Sequence, residues 1–330
     1  MSRNDPDVLV VGGGPAGSIA AGVAAEGGAT TTLVDKKSDP SQSSACGGLV
    51  SKSTWDELGA AEGAIVNEIR GVEVHPPKGE SFVLTSPRVK AYVIDRDELN
   101  ADLLARAEEK GVQVIPETGI FERDGDRVTI RAINDTEERE LCPRIVIGAD
   151  GPRSDVRRLF GLESPTELLY AIQGEIELPD ITPGRVEVFF GRKIAPGFFG
   201  WIIPLSRNKA RVGLATKKGD GLKDYFQTLL DRAGGRNPAD FRTGVIPIGV
   251  PDHSCGGKVL TVGDAAGQVK PTTGGGLYPI SIASKIAGEV AVKSLSGLEN
   301  PSRRYYERWM DRFGYDLKRE MLLHRVLESV

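Results

Sequence analysis

Short apolar runs set in an otherwise mixed chain mark four buried strands. They are Asp7-Val-Leu-Val-Val-Gly12, Ala29-Thr-Thr-Thr-Leu-Val-Asp35, Arg144-Ile-Val-Ile-Gly-Ala-Asp150 and Lys258-Val-Leu-Thr-Val262. The first runs into Gly12-Gly-Gly14-Pro-Ala-Gly17 and an Ala-rich helix to about Glu26. The last runs into Gly263-Asp-Ala-Ala-Gly and, after Gly274, Gly275 and Gly276, a helical pattern over about 277–293. Longer runs, Leu169–Leu178, Arg185–Phe190 and Ala210–Thr216, read as strands of a second kind. In Arg185–Phe190 the positions Val186, Val188 and Phe190 alternate with Arg185, Glu187 and Phe189, which suits an antiparallel sheet with one covered face.

Local signals fill the gaps. Ser53-Thr-Trp-Asp-Glu-Leu-Gly59 reads as a short helix with Ser53 as its cap, and Asp95 caps a helix to about Lys110. Gly111–Ile115 and Thr118–Phe121 are short strands, and Asp124-Gly125 turns a hairpin back into Arg127–Ile133. There is no internal repeat and no low-complexity segment.

Composition narrows the class. The chain has 330 residues, 39% hydrophobic and 27% charged, enough for two domains or one large α/β unit with insertions. A net charge of −4 gives no reason to expect nucleic acid. No apolar run approaches the ~18 residues of a membrane-spanning helix, and the polar N-terminus leads straight into a strand, so no signal peptide is read. Three scattered cysteines, Cys46, Cys142 and Cys255, suit neither a disulfide framework nor a zinc site and point to a reducing cytoplasm.

The first glycine turn carries the chemistry. It is G-x-G-x-x-G between strand and helix, the setting that a dinucleotide requires. Gly12 makes the tight turn, Gly14 admits the pyrophosphate and Gly17 lets helix and strand pack. Asp35 ends the second strand, where an acidic residue holds a ribose hydroxyl. These features do not separate NAD from FAD. Two later ones do: the strand ending at Asp150-Gly151, and the Gly263–Leu277 stretch, whose helix start offers unpaired N–H groups to a polar ring.

With these three ordered motifs the chain resembles the geranylgeranyl reductase family, within the FAD-dependent group that includes the aromatic hydroxylases. The resemblance implies an α/β fold with a Rossmann-like FAD-binding domain, an inserted, mainly antiparallel β-sheet substrate domain and a C-terminal helix. The FAD-binding domain would take residues 1–70, 92–155 and 250–297, the substrate domain 71–91 and 156–249, and the C-terminal helix 298–330. Cofactor contacts are implied at Gly12, Gly14, Pro15, Ala16, Gly17, Asp35 and Lys36 for the ADP half. Asp150, Gly263 and Asp264 would follow, with Gly274, Gly275, Gly276 and Leu277 at the flavin. A weaker carry-over puts the backbone near Ile120 beside the adenine.

Ser43-Ser-Ala-Cys46-Gly47-Gly48-Leu49 looks like the place where members of this family carry a cysteine beside the flavin. Ala45, Cys46, Gly47 and Gly48 are accordingly cofactor candidates, and Cys46 is a catalytic candidate that orients substrate or relays a proton. Packing of a small thiol among glycines is the other reading. Arg96 is the family's cofactor-contacting arginine or a surface ion pair. Gly197-Phe-Phe199-Gly-Trp201-Ile-Ile-Pro204 is similar to the family motif Tyr-x-Trp-x-Phe-Pro, with Phe199 for the Tyr and Ile203 for the Phe. Phe189, Phe190, Phe198, Phe199 and Trp201 are five of the chain's 20 aromatics, and they would line an apolar tunnel with Trp201 as a wall, or else form sheet core. His75, His253 and His324 show no metal spacing, so no metal is expected.

Arg303, Arg304, Arg308, Arg312, Lys318 and Arg319 share a C-terminal helical pattern with Trp309, Met310 and Phe313. It reads as an amphipathic helix packed on the body, or a basic helix resting peripherally on an anionic membrane. Family members often continue past this point; a shorter chain would leave the cavity more open or completed by another subunit. The implied function is hydrogenation of C=C bonds in isoprenoid chains of archaeal-type lipids, with FAD as cofactor. With one dinucleotide fingerprint, NAD(P)H, ferredoxin or another external donor must visit, so a redox partner protein is a candidate partner. A flavin monooxygenase, an electron-transfer flavoprotein serving a quinone and a flavin-binding regulator are the competing readings.

Overall fold

The structure is a computed structural model that describes the chain except residues 1–4, 43–44, 135–137, 180, 236–237 and 328–330. The Ser43-Ser44 lead-in to the Cys46 motif therefore lies outside the described residues. The chain folds as two compact units. The first comprises the chain up to Gln42, Asn100–Glu167 and Pro247–Glu320. The second runs on to Leu99 and takes Leu168–Ile246 and the chain from Met321.

In the first unit all four apolar runs become neighbours in one sheet. Its order is Val259–Thr261, Ile145–Gly148, Val8–Val11, Thr31–Val34, Gln113–Ile115, and every pair is parallel. Such strands are apolar without alternation because both faces are covered. On one face Val8, Val10 and Leu33 meet the helices Pro15–Glu26 and Leu277–Leu295. On the other, Leu9, Val11 and Val34 meet Ile120, Val128 and Val156. The Asp124-Gly125 hairpin forms as the glycine at φ +58° predicts, within a three-stranded antiparallel sheet that adds Glu138–Leu141.

The second unit is built on a seven-stranded sheet. Its order is Phe241–Ile248, Glu167–Glu177, Lys209–Thr216, Phe199–Pro204, Arg185–Phe190, Gly71–His75, Phe82–Thr85. It is mainly antiparallel, with a parallel pair between Arg185–Phe190 and Gly71–His75. A small antiparallel sheet of Leu49–Ser51, Ala91–Ile94 and Ile65–Ile69 belongs to the same unit.

The two units are assembled from interleaved segments of the chain. Residues 45–70 and 92–99 fall in the second unit because Ile69 and Val93 bury against Val186 and Ile203. Residues 156–167 and 298–320 fall in the first, where Val156, Tyr305, Trp309, Phe313 and Leu317 enter its cores. Arg185–Phe190 is covered on both faces: Val186 joins the Ile69 cluster, whereas Phe189 is 2% exposed in a cluster with helix Leu222–Ala233. The Ser53 cap is in fact Ser51, whose hydroxyl accepts from the Thr54 N–H at 3.2 Å ahead of helix Lys52–Leu58. Asp95 does cap its helix, accepting from the Asp97 N–H at 2.9 Å. The C-terminal pattern is two helices, Pro301–Trp309 and Tyr315–Leu327, joined by a π-helical turn at Met310–Gly314. That wider turn lets Trp309, Met310 and Phe313 all enter the core.

Candidate active site

In the first unit the glycine turn closes on itself. A Cβ at Gly17 would lie 1.8 Å from the Gly12 carbonyl oxygen, so only glycine fits. A Cβ at Gly14 would meet no protein atom within 4 Å. The open side of Gly14 therefore faces the uncapped N-terminus of helix Pro15–Glu26, whose N–H groups and dipole suit a pyrophosphate. Asp35 is 8% exposed and accepts from the Gly13 N–H at 2.6 Å and the Lys37 N–H at 2.8 Å. It ties the end of the second strand to the turn. The Lys36 ammonium pairs with Asp155, and the Ile120 side chain is buried in the core, leaving only its backbone for a ligand.

The other two motifs stand against this turn. A Cβ at Gly12 would meet the backbone of Ala149 and Asp150, and one at Gly263 would lie 3.1 Å from Ala16 Cβ. Gly263 has φ +66° and opens the 3₁₀ turn Gly263–Ala266. Gly276 is the N-cap of helix Leu277–Leu295 and, like Gly14 at the first helix, makes no side-chain bond to its first N–H groups. The Asp150 carboxylate is turned inward: it accepts from Ser154 Oγ at 2.5 Å and the Val156 N–H at 3.1 Å. Burial raises its pKa, and those bonds only partly oppose the shift. Asp150 thus shapes its own turn.

Sequence reasoning missed the residues that brace these turns. Arg157 is 6% exposed and donates to the Ala265 carbonyl and the Pro152 carbonyl, both at 2.7 Å. Gln268 Oε1 accepts from the Gly263 N–H at 2.8 Å, and its Nε2 donates to Tyr305 Oη at 2.9 Å. Tyr305 in turn donates to the Thr261 carbonyl at 2.8 Å. Gln268, Tyr305 and Thr261 are all 0% exposed. No periodicity marks such residues, since each is a polar group whose partner is a distant backbone atom.

The second unit organises the Cys46 loop. Three consecutive carbonyls are held: Cys46 by Gln173 Nε2 at 2.8 Å, Gly47 by Arg211 Nη1 at 2.9 Å and Gly48 by the Ile94 N–H at 2.8 Å. Arg211 also pairs with Glu175 at 3.0 Å. Burial opposes the Glu175 charge, but hydrogen bonds from Lys209 and Arg211 outweigh it and hold its carboxyl below the usual range. Arg96 is partly exposed, and its Nη1 donates to Cys46 Sγ at 3.3 Å. Trp201 Nε1 lies 3.9 Å from where a Cβ on Gly47 would stand. Phe199 meets Trp201 edge-on at 6.1 Å and Phe190 at 5.7 Å. Ala45, Cys46, Gly47, Arg96 and Trp201 are only partly exposed, and Gly48 is buried.

The five-aromatic cluster is divided by the two-residue repeat of a strand. Phe189 projects to the opposite face and stacks on His75 at 4.2 Å. Sequence spacing gives His75 no metal partners, yet its Nε2 lies 2.8 Å from Glu187 and 3.8 Å from Glu73, contributed by two parallel strands. Arg185 reaches Glu73 at 3.1 Å, which makes the group an ion-pair network. A cavity of about 250 Å³ lined by His75, Arg185, Phe189, Ile202 and Arg232 lies on that face, away from Cys46. Phe198 stacks on Phe199 at 4.3 Å and meets His324 edge-on.

Comparison with known proteins agrees with this geometry. The FAD binding domain family matches residues 5–218. Digeranylgeranylglycerophospholipid reductase 2 of Methanothermobacter thermautotrophicus is 31% identical over 342 residues, covering 98% of this chain and 88% of its own. The digeranylgeranylglycerophospholipid reductase of Methanocaldococcus jannaschii is 31% identical, covering 98% and 87%. The crystal structure of a geranylgeranyl bacteriochlorophyll reductase-like protein from Thermoplasma acidophilum superposes with a TM-score of 0.89 at 26% identity, over 98% of this chain and 88% of that one. Fold and glycine turns together define a flavoprotein oxidoreductase whose cofactor is FAD. The chain belongs to the geranylgeranyl reductase family, on the digeranylgeranylglycerophospholipid reductase branch. Among the described residues no helix is long and apolar enough to cross a membrane.

Proposed function

We propose that this enzyme hydrogenates isolated C=C bonds in the geranylgeranyl chains of archaeal-type membrane lipids. The relatives' names support that substrate, over nearly the full length of the chain. The observation that carries the reading is the Cys46-Gly47-Gly48 loop, pinned by three carbonyl hydrogen bonds beside Trp201 Nε1. A loop held that firmly can present one thiol at a fixed place beside an apolar surface.

The ADP half of FAD would rest on Gly12, Gly14, Pro15, Ala16 and Gly17, with Asp35 at its ribose and the Lys36 and Ile120 backbone nearby. Asp150 would shape the adjoining turn. Gly263 and Asp264 would take the ribityl chain, and the helix start at Gly274, Gly275, Gly276 and Leu277 the ring edge, where its dipole favours negative charge. Ala45, Cys46, Gly47, Gly48 and Arg96 complete the proposed cofactor contacts. When bound and reduced, FAD supplies a hydride. Cys46 supplies the proton for the other alkene carbon, and Arg96 steadies the charge left on its sulfur. Trp201 and Phe199 form a wall against which a prenyl chain lies dry, since an isolated alkene offers no carbonyl to absorb charge.

Electrons reach the flavin from NAD(P)H, ferredoxin or another visiting donor. The enzyme works in the cytoplasm and touches the membrane peripherally. Leu322, Leu323 and Val326, 60–63% exposed near Arg319 and Arg325, support such contact.

The test is anaerobic incubation of dithionite-reduced holoenzyme with a geranylgeranyl lipid, read by mass spectrometry. Addition of two hydrogens per double bond is expected. An unchanged lipid, or the gain of an oxygen atom in air, overturns the reading. Cys46→Ala should retain FAD and lose turnover.

A further inference from the structure

Three strands of the second unit set Gln173, Gly213 and Trp201 in one row. Gln173 opposes Gly213, and Gly213 opposes Trp201. Opposed residues project from the same face. Gly213 has no side chain, and its neighbours lean across the gap: a Cβ there would lie 2.6 Å from Gln173 Cβ and 2.7 Å from the Trp201 ring. Both side chains reach the Cys46-Gly47 loop, Gln173 through its Nε2 bond to the Cys46 carbonyl.

Each then has one polar atom left over. Among the described residues Gln173 Oε1 and Trp201 Nε1 are buried without a hydrogen-bond partner. Gln173 as a whole is 8% exposed. One atom accepts, the other donates, and they do not bond each other. Turning the amide over is no remedy, because it would set Oε1 against the Cys46 carbonyl oxygen. A group that satisfies both atoms must accept from the indole N–H and donate to the amide oxygen. A hydroxyl oxygen does this; an alkene carbon or a carboxylate does not.

We infer that Gln173 and Trp201 hold a single water molecule beside Cys46, and that this water returns a proton to the Cys46 thiol in each turnover. The inference rests on Cys46 as proton donor to the alkene. The S–H bond breaks as a C–H bond forms on one alkene carbon. FAD, when bound and reduced, would supply the hydride for the other C–H bond. The sulfur, held by Arg96 Nη1 at 3.3 Å, then takes a proton from the water, which takes one from solvent. No further oxidant or reductant is involved. Gln173 and Trp201 act in this step as positioning residues.

Holoenzyme variants Gln173→Met and Trp201→Phe each remove one of the two polar atoms while keeping an apolar side chain in place. High-resolution crystal structures should show an oxygen within hydrogen-bond reach of both atoms in the wild type and none in either variant. Turnover on a geranylgeranyl lipid should fall roughly 100-fold in both variants with FAD retained, and with KM unchanged in Gln173→Met, which leaves the Trp201 wall intact. The solvent deuterium isotope effect on kcat should rise as reprotonation becomes limiting. Trp201→Phe carries the test if the Gln173 variant does not fold. A wild-type structure that resolves other buried waters but none here overturns the inference, as do variants with wild-type kcat and isotope effect. A wild type that adds no hydrogen to prenyl lipid removes the proposed function instead, and the crystallographic arm still decides the water.

Discussion

Arg157 Nη1 donates to the carbonyl oxygen of Ala265 at 2.7 Å, joining the helix after Asp150-Gly151 to the turn that carries Asp264. The guanidinium also holds the Pro152 carbonyl, so one buried cation braces two of the motifs assigned to FAD. Arg157→Met leaves both carbonyls without that donor. It should lower stability by about 3 kcal/mol, and gel-filtered protein should emerge with less flavin. Arg157→Lys, able to reach one carbonyl at a time, should fall between. A variant with wild-type melting and flavin content would reduce Arg157 to a bystander.

Tyr305 reaches the same turn from the C-terminal helices. Tyr305→Phe removes the oxygen that bridges Gln268 Nε2 and the Thr261 carbonyl, at 0% exposure. Leaving buried polar groups unmet costs roughly 1–3 kcal/mol. The loss should appear in urea unfolding of the apoprotein. Weaker FAD binding by fluorescence titration should accompany it, because Gln268 also fixes the Gly263 N–H.

Two glycines of the fingerprint separate folding from binding. At Gly14 the backbone has φ −69° and a Cβ meets nothing within 4 Å, so Gly14→Val should fold normally yet purify without yellow colour. At Gly17 a Cβ would sit 1.8 Å from a backbone oxygen, and Gly17→Ala should fail to give soluble protein. Flavin retained by Gly14→Val would move the pyrophosphate elsewhere.

Cys255 gives a pH dependence. Burial pushes its thiol up from 9.0 to about 12 in the fold, where Sγ donates to the Ser302 carbonyl at 3.3 Å. The folded pKa is raised, so the contribution is whole below pH 9 and is lost as pH climbs towards 12. Thermal melts of the wild type should therefore steepen their decline with pH above about 9, and Cys255→Ala should flatten it. At pH 8 iodoacetamide should leave Cys255 unmodified until the protein is unfolded.

The chain alone revealed a good deal. Apolar runs without alternation disclosed the parallel strands, because strands covered on both faces need no polar side. The glycine spacing and Asp35 disclosed the dinucleotide turn, since it is a local backbone requirement written in adjacent residues. The Asp95 cap and the Asp124-Gly125 hairpin were readable for the same reason. A helix at Leu222–Ala233 was also there to be read, in the spacing of Phe226, Leu229 and Leu230.

What remained hidden depends on partners far apart in the chain. Arg157 and Ala265 are 108 residues apart, Gln173 and Cys46 127. Nothing near Phe189 distinguishes its face from that of Phe190; helix Leu222–Ala233 decides it by burying one and not the other. Local conformation is set by neighbouring residues and leaves its mark in their order. A hydrogen bond between a side chain and a distant carbonyl exists only after the chain has closed, so only the tertiary structure could assign it.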